Sequence, residues 1–261
     1  QKEEDTEDYF LAGRNATWLA IGASIFASNI GSEHLVGLAS AGAQYGLAMA
    51  HWDFHSWIIL MLAWIFVPCY WRTQIFTTPE FLERRYSPQT RPFFSFISLV
   101  SYVLTKVSVT VFAGGLAIQE IFGIDTLFGV DFFWIAAISL VVITGLYTVI
   151  GGMKAVLWTS VLQTPVLLLG SFIILFVGLT KLGAGAGLME GWAVMSEING
   201  ENMHLFRPID DPMFPWPAVI GGSIIIGTWY WCTDQYIVQR VLSGRDMTQA
   251  RRGAIFGGYL K

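Results

Sequence analysis

The chain has 261 residues, of which 54% are hydrophobic and 13% charged, with a mean hydropathy of +0.55; a soluble domain carries about 25% charged residues. This composition points away from a water-soluble domain and to a bilayer, and a formal charge of -4 with a pI near 5.5 leaves no basic footprint for nucleic acid. Two cysteines, Cys69 and Cys232, are too few and too far apart for a disulfide framework or a zinc site, and read as small buried thiols.

The chain opens on a charged stretch, Gln1 to Asp8, with neither an initiator methionine nor a signal peptide. Residues 1–16 read as a cytoplasmic segment of a chain that continues beyond both ends. A hydrocarbon core about 30 Å thick needs roughly 20 apolar residues in helix. Six stretches meet that requirement: 17–44, 46–71, 93–119, 131–150, 156–180 and 214–238; a seventh starts near Ala250 and ends at Lys261 before it can cross.

The first stretch carries a polar break, Ser28-Asn29-Ile30-Gly31-Ser32-Glu33-His34. Unmet polar groups at this depth cost several kcal/mol and persist only against protein or a water-filled cavity, so interrupted spans mark transporter binding sites. The plain structural reading of Asn29 is a bond to a neighbouring helix, worth about 0.6 kcal/mol. Glu33 and His34 within five residues favour binding, because intramembrane ionisable groups are costly to bury.

The second stretch contributes His51-Trp52-Asp53-Phe54-His55-Ser56. His51 and His55 share a helix face, yet Asp53 points about 200° away from His51 at 3.6 residues per turn, so the three do not converge on a metal ion. Asp53 and Ser56 share the opposite face beside Trp52, a mixture suited to a polyhydroxylated ligand: polar groups take hydroxyls and aromatic rings cover the apolar sugar face. The competing reading of Asp53 is a carboxylate at the outer water boundary.

Further along, Thr77-Thr78-Pro79-Glu80 opens a short amphipathic helix through Tyr86. Lys106 is an intramembrane cation whose simplest role is to pair with an acid. The outer segment 183–213, rich in Gly and Pro, reads as a partly ordered cover. The sixth stretch is interrupted by Gly227-Thr-Trp-Tyr-Trp-Cys-Thr-Asp-Gln235. Its aromatics Trp229, Tyr230 and Trp231 lie near mid-span rather than in an interfacial belt, which favours stacking or gating.

Five spans separate the two breaks, as expected of a five-helix unit repeated with inverted topology. The predicted units are 17–182, the outer loop 183–213, and the opening of a second unit at 214–261. Lys2, Arg14, Arg72, Arg84, Arg85, Arg91, Lys154, Arg240, Arg245, Arg251 and Arg252 fall on one side of the predicted spans, with only Lys181 and Arg207 on the other. The positive-inside rule therefore predicts a cytoplasmic N-terminal segment and outward loops at 120–130 and 182–213.

The strings Asp8-Tyr-Phe-Leu-Ala-Gly-Arg14, Gly22-Ala-Ser-Ile-Phe-Ala-Ser-Asn-Ile-Gly-Ser32, Trp229-Tyr-Trp-Cys-Thr-Asp-Gln235 with Val238-Gln-Arg240, and Gly258-Tyr-Leu-Lys261 resemble the sodium/solute symporter family, and within it the sodium/glucose cotransporters. The resemblance runs through almost the whole chain, at about half the length of family members. It implies an all-α, polytopic, leucine-transporter-like inverted-repeat bundle in the plasma membrane, incomplete in this chain, with a sugar or polyol bound at mid-membrane.

Carried over residue by residue, the resemblance puts Asn29, His34, Asp53, Ser56, Trp231 and Lys261 at the sugar. Tyr230 falls on the cytoplasmic gate, and Ala27 and Ile30 fall where backbone carbonyls hold the co-transported Na+. A hard cation wants such oxygen ligands, and an unwound helix supplies them. The chain departs from the family pattern in two places: Asp53 stands where the sugar transporters commonly carry Glu, and Ser160 where members often carry Asp. The serine hydroxyls that complete the family's sodium site belong to a later helix. The implied activity is sodium-coupled symport by alternating access. Its alternatives are a different solute (myo-inositol, a carboxylate or an amino acid), a non-transporting sensor or sodium leak, and a membrane enzyme using His51, Asp53 and His55. The broken helices carry no Arg pair for a carboxylate, which favours an uncharged solute.

Overall fold

The computed structural model describes residues 6–198 and 200–261; Lys2, one of the predicted inner cations, lies outside them. The chain is an all-α polytopic membrane protein apart from one small hairpin. Among the described residues, three helical stretches are long and apolar enough to cross a membrane: Glu33–Thr73, Thr90–Phe122 and Phe132–Leu182. Two of them turn at glycine. Gly46 (φ 73°) and Gly152 (φ 51°, ψ −152°) adopt backbone conformations that side chains resist. The helices therefore run in order as α1 (Thr6–Leu11), α2 (Trp18–Asn29), α3 (33–45), α4 (47–73), α5 (Thr78–Arg85), α6 (Thr90–Phe122), α7 (132–151), α8 (153–182), α9 (Leu188–Ile198), α10 (216–233), α11 (Gln235–Leu242) and α12 (Met247–Leu260). Between α6 and α7, strands β1 (Thr126–Leu127) and β2 (Val130–Asp131) pair antiparallel with Thr126 opposite Asp131.

The predicted fourth and fifth stretches are thus one apolar run folded at Gly152, with α8 beginning three residues earlier than expected. The predicted surface helix is α5. The Thr77 side chain accepts from the Glu80 N–H at 3.3 Å, and Glu80 Oε2 accepts from the Phe76 N–H at 2.8 Å, a reciprocal cap. The segment 183–213, expected to be a partly ordered cover, contains the helix α9.

The core lies where α2, α4, the 231–242 segment and α12 meet. It includes Ile21 and Ile25 of α2, Ile58, Ile59, Leu62 and Val67 of α4, Trp231, Ile237 and Leu242, and Ala250 and Ala254 of α12. A Cβ on Gly253 would sit 2.6 Å from the Ile21 Cβ, and one on Gly257 2.9 Å from the Ile25 Cβ. The Gly253-Ala-Ile-Phe-Gly257 face therefore brings α12 nearly to backbone contact with α2. Lipid offers no hydrophobic drive between helices, and small residues replace it with close van der Waals packing. Large apolar side chains of α6, α7 and α8, such as Phe96, Leu104, Ile143, Ile150, Val166 and Ile174, remain exposed. Cys232 is buried as expected, but Cys69 is exposed on α4, because its position faces away from the core that Val67 and Tyr70 join.

Candidate functional site

The first break falls at Ile30. Its φ of −98° and ψ of 97° end α2, while its N–H still reaches the Phe26 carbonyl at 3.1 Å. The chain re-enters helix when the His34 N–H bonds to the Gly31 carbonyl at 3.0 Å. The Ala27 carbonyl leaves the last turn of α2 and the Ile30 carbonyl lies within the extended residue. Ala27 is buried and Ile30 half-buried.

The second break falls at Asp234, extended at φ −65° and ψ 125°. Residues 228–233 before it form a wide, π-type turn, as do 33–38 after the first break and 102–107 in α6. Such turns are rare and cluster at functional sites; these three carry Glu33 and His34, Tyr102 and Lys106, and Tyr230 and Trp231, while a fourth, Leu62–Phe66 in α4, carries only apolar side chains.

Lys261 joins the two breaks to α4. Its Nζ donates to Asn29 Oδ1, stands 3.3 Å from Asp53 Oδ1 and 3.5 Å from His34 Nε2, and lies 5.7 Å from the Trp231 ring centre. Its side chain is only 4% exposed, whereas that of Asp53 is 33% exposed, so the ammonium is buried while its carboxylate partner keeps part of its surface open. Asn29 Nδ2 donates to the Tyr230 hydroxyl at 2.6 Å. Five of the six residues expected at the sugar thus share one cluster with the expected gate. Ser56, the sixth, is buried in the next turn of α4 against Gly258, and its hydroxyl takes no part in these bonds. The shorter Asp53 side chain still reaches the ammonium.

His55 is a member of the cluster that helical spacing assigned to the wrong face. The backbone of α4 keeps no uniform pitch, with three residues per turn over Gly46–Ala50 and again over His55–Ile58, and the buried His55 Nδ1 accepts from Trp231 Nε1 at 3.1 Å. Tightening of this kind is invisible to a wheel drawn at 3.6 residues per turn. Among the described residues no group of three or more His, Cys, Asp or Glu side chains is placed to hold a metal ion.

A second polar cluster lies beside Tyr230. Lys106 Nζ and the Tyr102 hydroxyl both donate to the Asp234 carboxylate, whose side chain is fully buried. The same carboxylate caps α11 by accepting from the Tyr236 N–H at 3.1 Å. Rings of Tyr102, Tyr236, Tyr230 and Trp229 surround Lys106 at 4.6, 5.0, 5.2 and 5.7 Å. The predicted acid partner of Lys106 is therefore Asp234, and the aromatic cage is the feature that pairing alone did not anticipate. Nearby, the Tyr236 hydroxyl donates to the Ser28 carbonyl at 2.6 Å, and Tyr70 donates to the Cys232 carbonyl at 2.9 Å. Ser160 bonds back to the Val156 carbonyl of its own helix at 2.6 Å, while Thr164 links α8 to the Ala23 carbonyl at 3.1 Å.

Away from these clusters, Arg207 ties the 183–213 segment to the corner between α3 and α4. It donates to the Tyr45 carbonyl and to Asn202 Oδ1 at 3.0 Å, and stands 3.5 Å from Asp211. The Phe214 and Met213 N–H groups, together with Arg207, hold the Asp211 carboxyl below the usual carboxylate range.

The sodium:solute symporter family model matches residues 9–259. Sodium/glucose cotransporter 4 of Danio rerio is 40% identical over 266 residues, covering 97% of this chain and 39% of that protein. Sodium/glucose cotransporter 1 of Oryctolagus cuniculus is 39% identical over 271 residues, covering 97% and 40%. Sodium/myo-inositol cotransporter 2 of Bos taurus is 37% identical over 273 residues, covering 100% and 40%. The chain therefore spans about two-fifths of the length of these curated relatives. A solved structure described as the substrate-bound outward-open state of a Na+-coupled sialic acid symporter superposes with a TM-score of 0.77 at 20% identity, covering 99% of this chain and 52% of that one; at that identity the likeness speaks for the fold. With its two broken helices, its buried polar cluster and a family match over nearly its whole length, the chain belongs to the sodium:solute symporter family.

Proposed function

We propose that the protein containing this chain carries out sodium-coupled symport of a sugar or similar polyol by alternating access, with the break at Ile30 shared between ion and solute. The observation that carries this reading is the convergence of Asn29, His34, Asp53, Tyr230, Trp231 and Lys261 at that break. The carbonyls of Ala27 and Ile30 serve sodium, which is cargo rather than a resident cofactor. Asn29, His34, Asp53, Ser56, Trp231 and Lys261 serve the solute, and Tyr230 closes the site from the cytoplasm. Membership of a transporter family removes the enzyme reading built on His51, Asp53 and His55.

Charge supports an uncharged solute. The Lys261 ammonium is matched by Asp53 and Glu33 stands nearby, so an anion entering the site would find no unmatched cation. Named relatives include cotransporters of glucose and of the cyclic polyol myo-inositol, which fits the same class.

In this reading the fold is a leucine-transporter-like inverted repeat, with units at 17–182 and from 214 onward, in the plasma membrane. The N-terminal segment is cytoplasmic and 183–213 covers the outer mouth. Support comes from Arg14 and Arg245 flanking one backbone junction, where Ala16 bonds to Ser243 and Arg245 at 3.0 Å each, and from Arg207 gripping the far end of α3. A membrane potential supplies about 2.3 kcal/mol per charge per 100 mV. One sodium with a tenfold gradient therefore provides roughly 3.7 kcal/mol, enough to concentrate a solute several hundredfold. A radiolabelled panel of a hexose, myo-inositol, a carboxylate and an amino acid tests the reading in cells expressing the full-length protein. Sodium-dependent uptake of a neutral polyol is expected, and uptake of a carboxylate or amino acid alone would overturn the solute class.

A further inference from the structure

We propose that Tyr236 is a positioning residue that sets sodium affinity by holding the Ser28 peptide across the first break; the proposal rests on the reading of that break as the ion's site. Where α2 ends at Ile30, the carbonyls of its last turn lose their helical partners. The Ser28 carbonyl accepts the Tyr236 hydroxyl at 2.6 Å. Ser28 lies between Ala27 and Ile30, so fixing its peptide plane fixes the rotation of the neighbouring carbonyls that offer oxygen to the cation. A hard cation binds most tightly where its oxygens need no reorganisation.

The phenol is itself immobilised. The Arg240 guanidinium lies 4.1 Å from its ring centre and its Nε donates to Ser24 Oγ at 3.1 Å, one turn before Ser28. Lys106 approaches the same ring at 5.0 Å while it grips Asp234, and Asp234 caps the Tyr236 N–H at 3.1 Å. The hydroxyl therefore projects from a segment tied to α2, α6 and the gate together. Asn29 Nδ2 bonds to Tyr230 at 2.6 Å on the other side of the same peptide. The two tyrosines hold adjacent residues of the first break from opposite ends of the second, so rearrangement at either break is felt at the other.

Tyr236→Phe removes one hydroxyl and leaves the ring between its cations. Full-length wild type and Tyr236→Phe, matched for surface expression, are compared for solute uptake against sodium concentration and, at saturating sodium, against solute concentration. Loss of one hydrogen bond predicts about a two- to tenfold rise in the sodium concentration for half-maximal uptake, with the solute KM at saturating sodium unchanged. A sodium curve that superposes on wild type, or a raised solute KM with the sodium curve unmoved, overturns the proposal. Absence of sodium dependence in the wild type instead overturns the ion-site reading beneath it. If the variant does not reach the surface, sodium-dependent thermal stabilisation of the detergent-purified variant and wild type reads the same shift in sodium affinity.

Discussion

Lys261 and Asn29 are the residues on which the solute reading turns. Lys261→Met leaves Asp53 facing its neighbours without a counter-ion. Stranding one partner of a fully buried pair costs about 3–5 kcal/mol; Asp53 keeps 33% of its side chain exposed, so the cost here falls below that range. We predict that Lys261→Met abolishes measurable uptake and lowers the Tm in detergent, and that adding Asp53→Asn recovers the Tm but not the uptake. Recovery of both would reduce Lys261 to a structural counter-ion. Asn29→Ala removes the bonds to Tyr230 and Lys261 together and is expected to lower kcat/KM for solute about five- to 150-fold, at about 0.5–1.5 kcal/mol per bond. Titration enters at Asp211, whose folded pKa is depressed. Its contribution to the clasp on Arg207 is present above the ordinary carboxylate pKa and is lost as pH falls through the lowered folded value. Protection of the Met213 and Phe214 amides, taken relative to their intrinsic exchange rates, should thus persist at the ordinary carboxylate pKa and fall only below it. Loss of half the protection already at the ordinary carboxylate pKa would contradict the shift.

At the scale of elements, the contact between α2 and α12 is the most sensitive to side-chain volume. Gly257→Val would force its Cβ into Ile25 and separate the helices, a strain of about 1–3 kcal/mol. Because Lys261 sits one turn beyond Gly257, the same change should weaken solute binding while sodium-independent surface expression falls only modestly; an unaltered Tm and solute KM would show that the close approach is not needed. The breaks, the short surface helix and the long apolar runs were legible because each has a local cause: polar residues at membrane depth, a Thr-Pro-Glu start, and hydrocarbon length. The turn at Gly152 was legible as well, because Gly151, Gly152 and Lys154 interrupt the apolar run between the predicted stretches 131–150 and 156–180; only its sharpness, a single glycine rather than a five-residue loop, was not. His55 was missed because periodicity assumes a uniform helix, whereas α4 changes pitch on both sides of His51–Phe54. Asp234 was visible as a polar residue, but its partners Tyr102 and Lys106 lie 132 and 128 positions away, and a sequence without an alignment offers no signal for such pairings.

For the whole molecule, the two breaks meet through side chains rather than through backbone alone. Asn29 reaches Tyr230, Ser28 reaches Tyr236, and Lys261 connects both to Asp53. In the proposed reading, an ion at the first break and a solute against Asn29 bias the same set of contacts, which is the physical content of coupling between sites. The exposed apolar faces of α6, α7 and α8 suit lipid or further helices of the full protein, whose relatives are about two and a half times as long as this chain. The measurement that tests coupling most directly is the current evoked by a neutral polyol in voltage-clamped cells expressing the full-length protein. The account predicts an inward current in sodium that vanishes when choline replaces sodium and is lost in Asn29→Ala. Uptake of equal size in choline, without current, would contradict it.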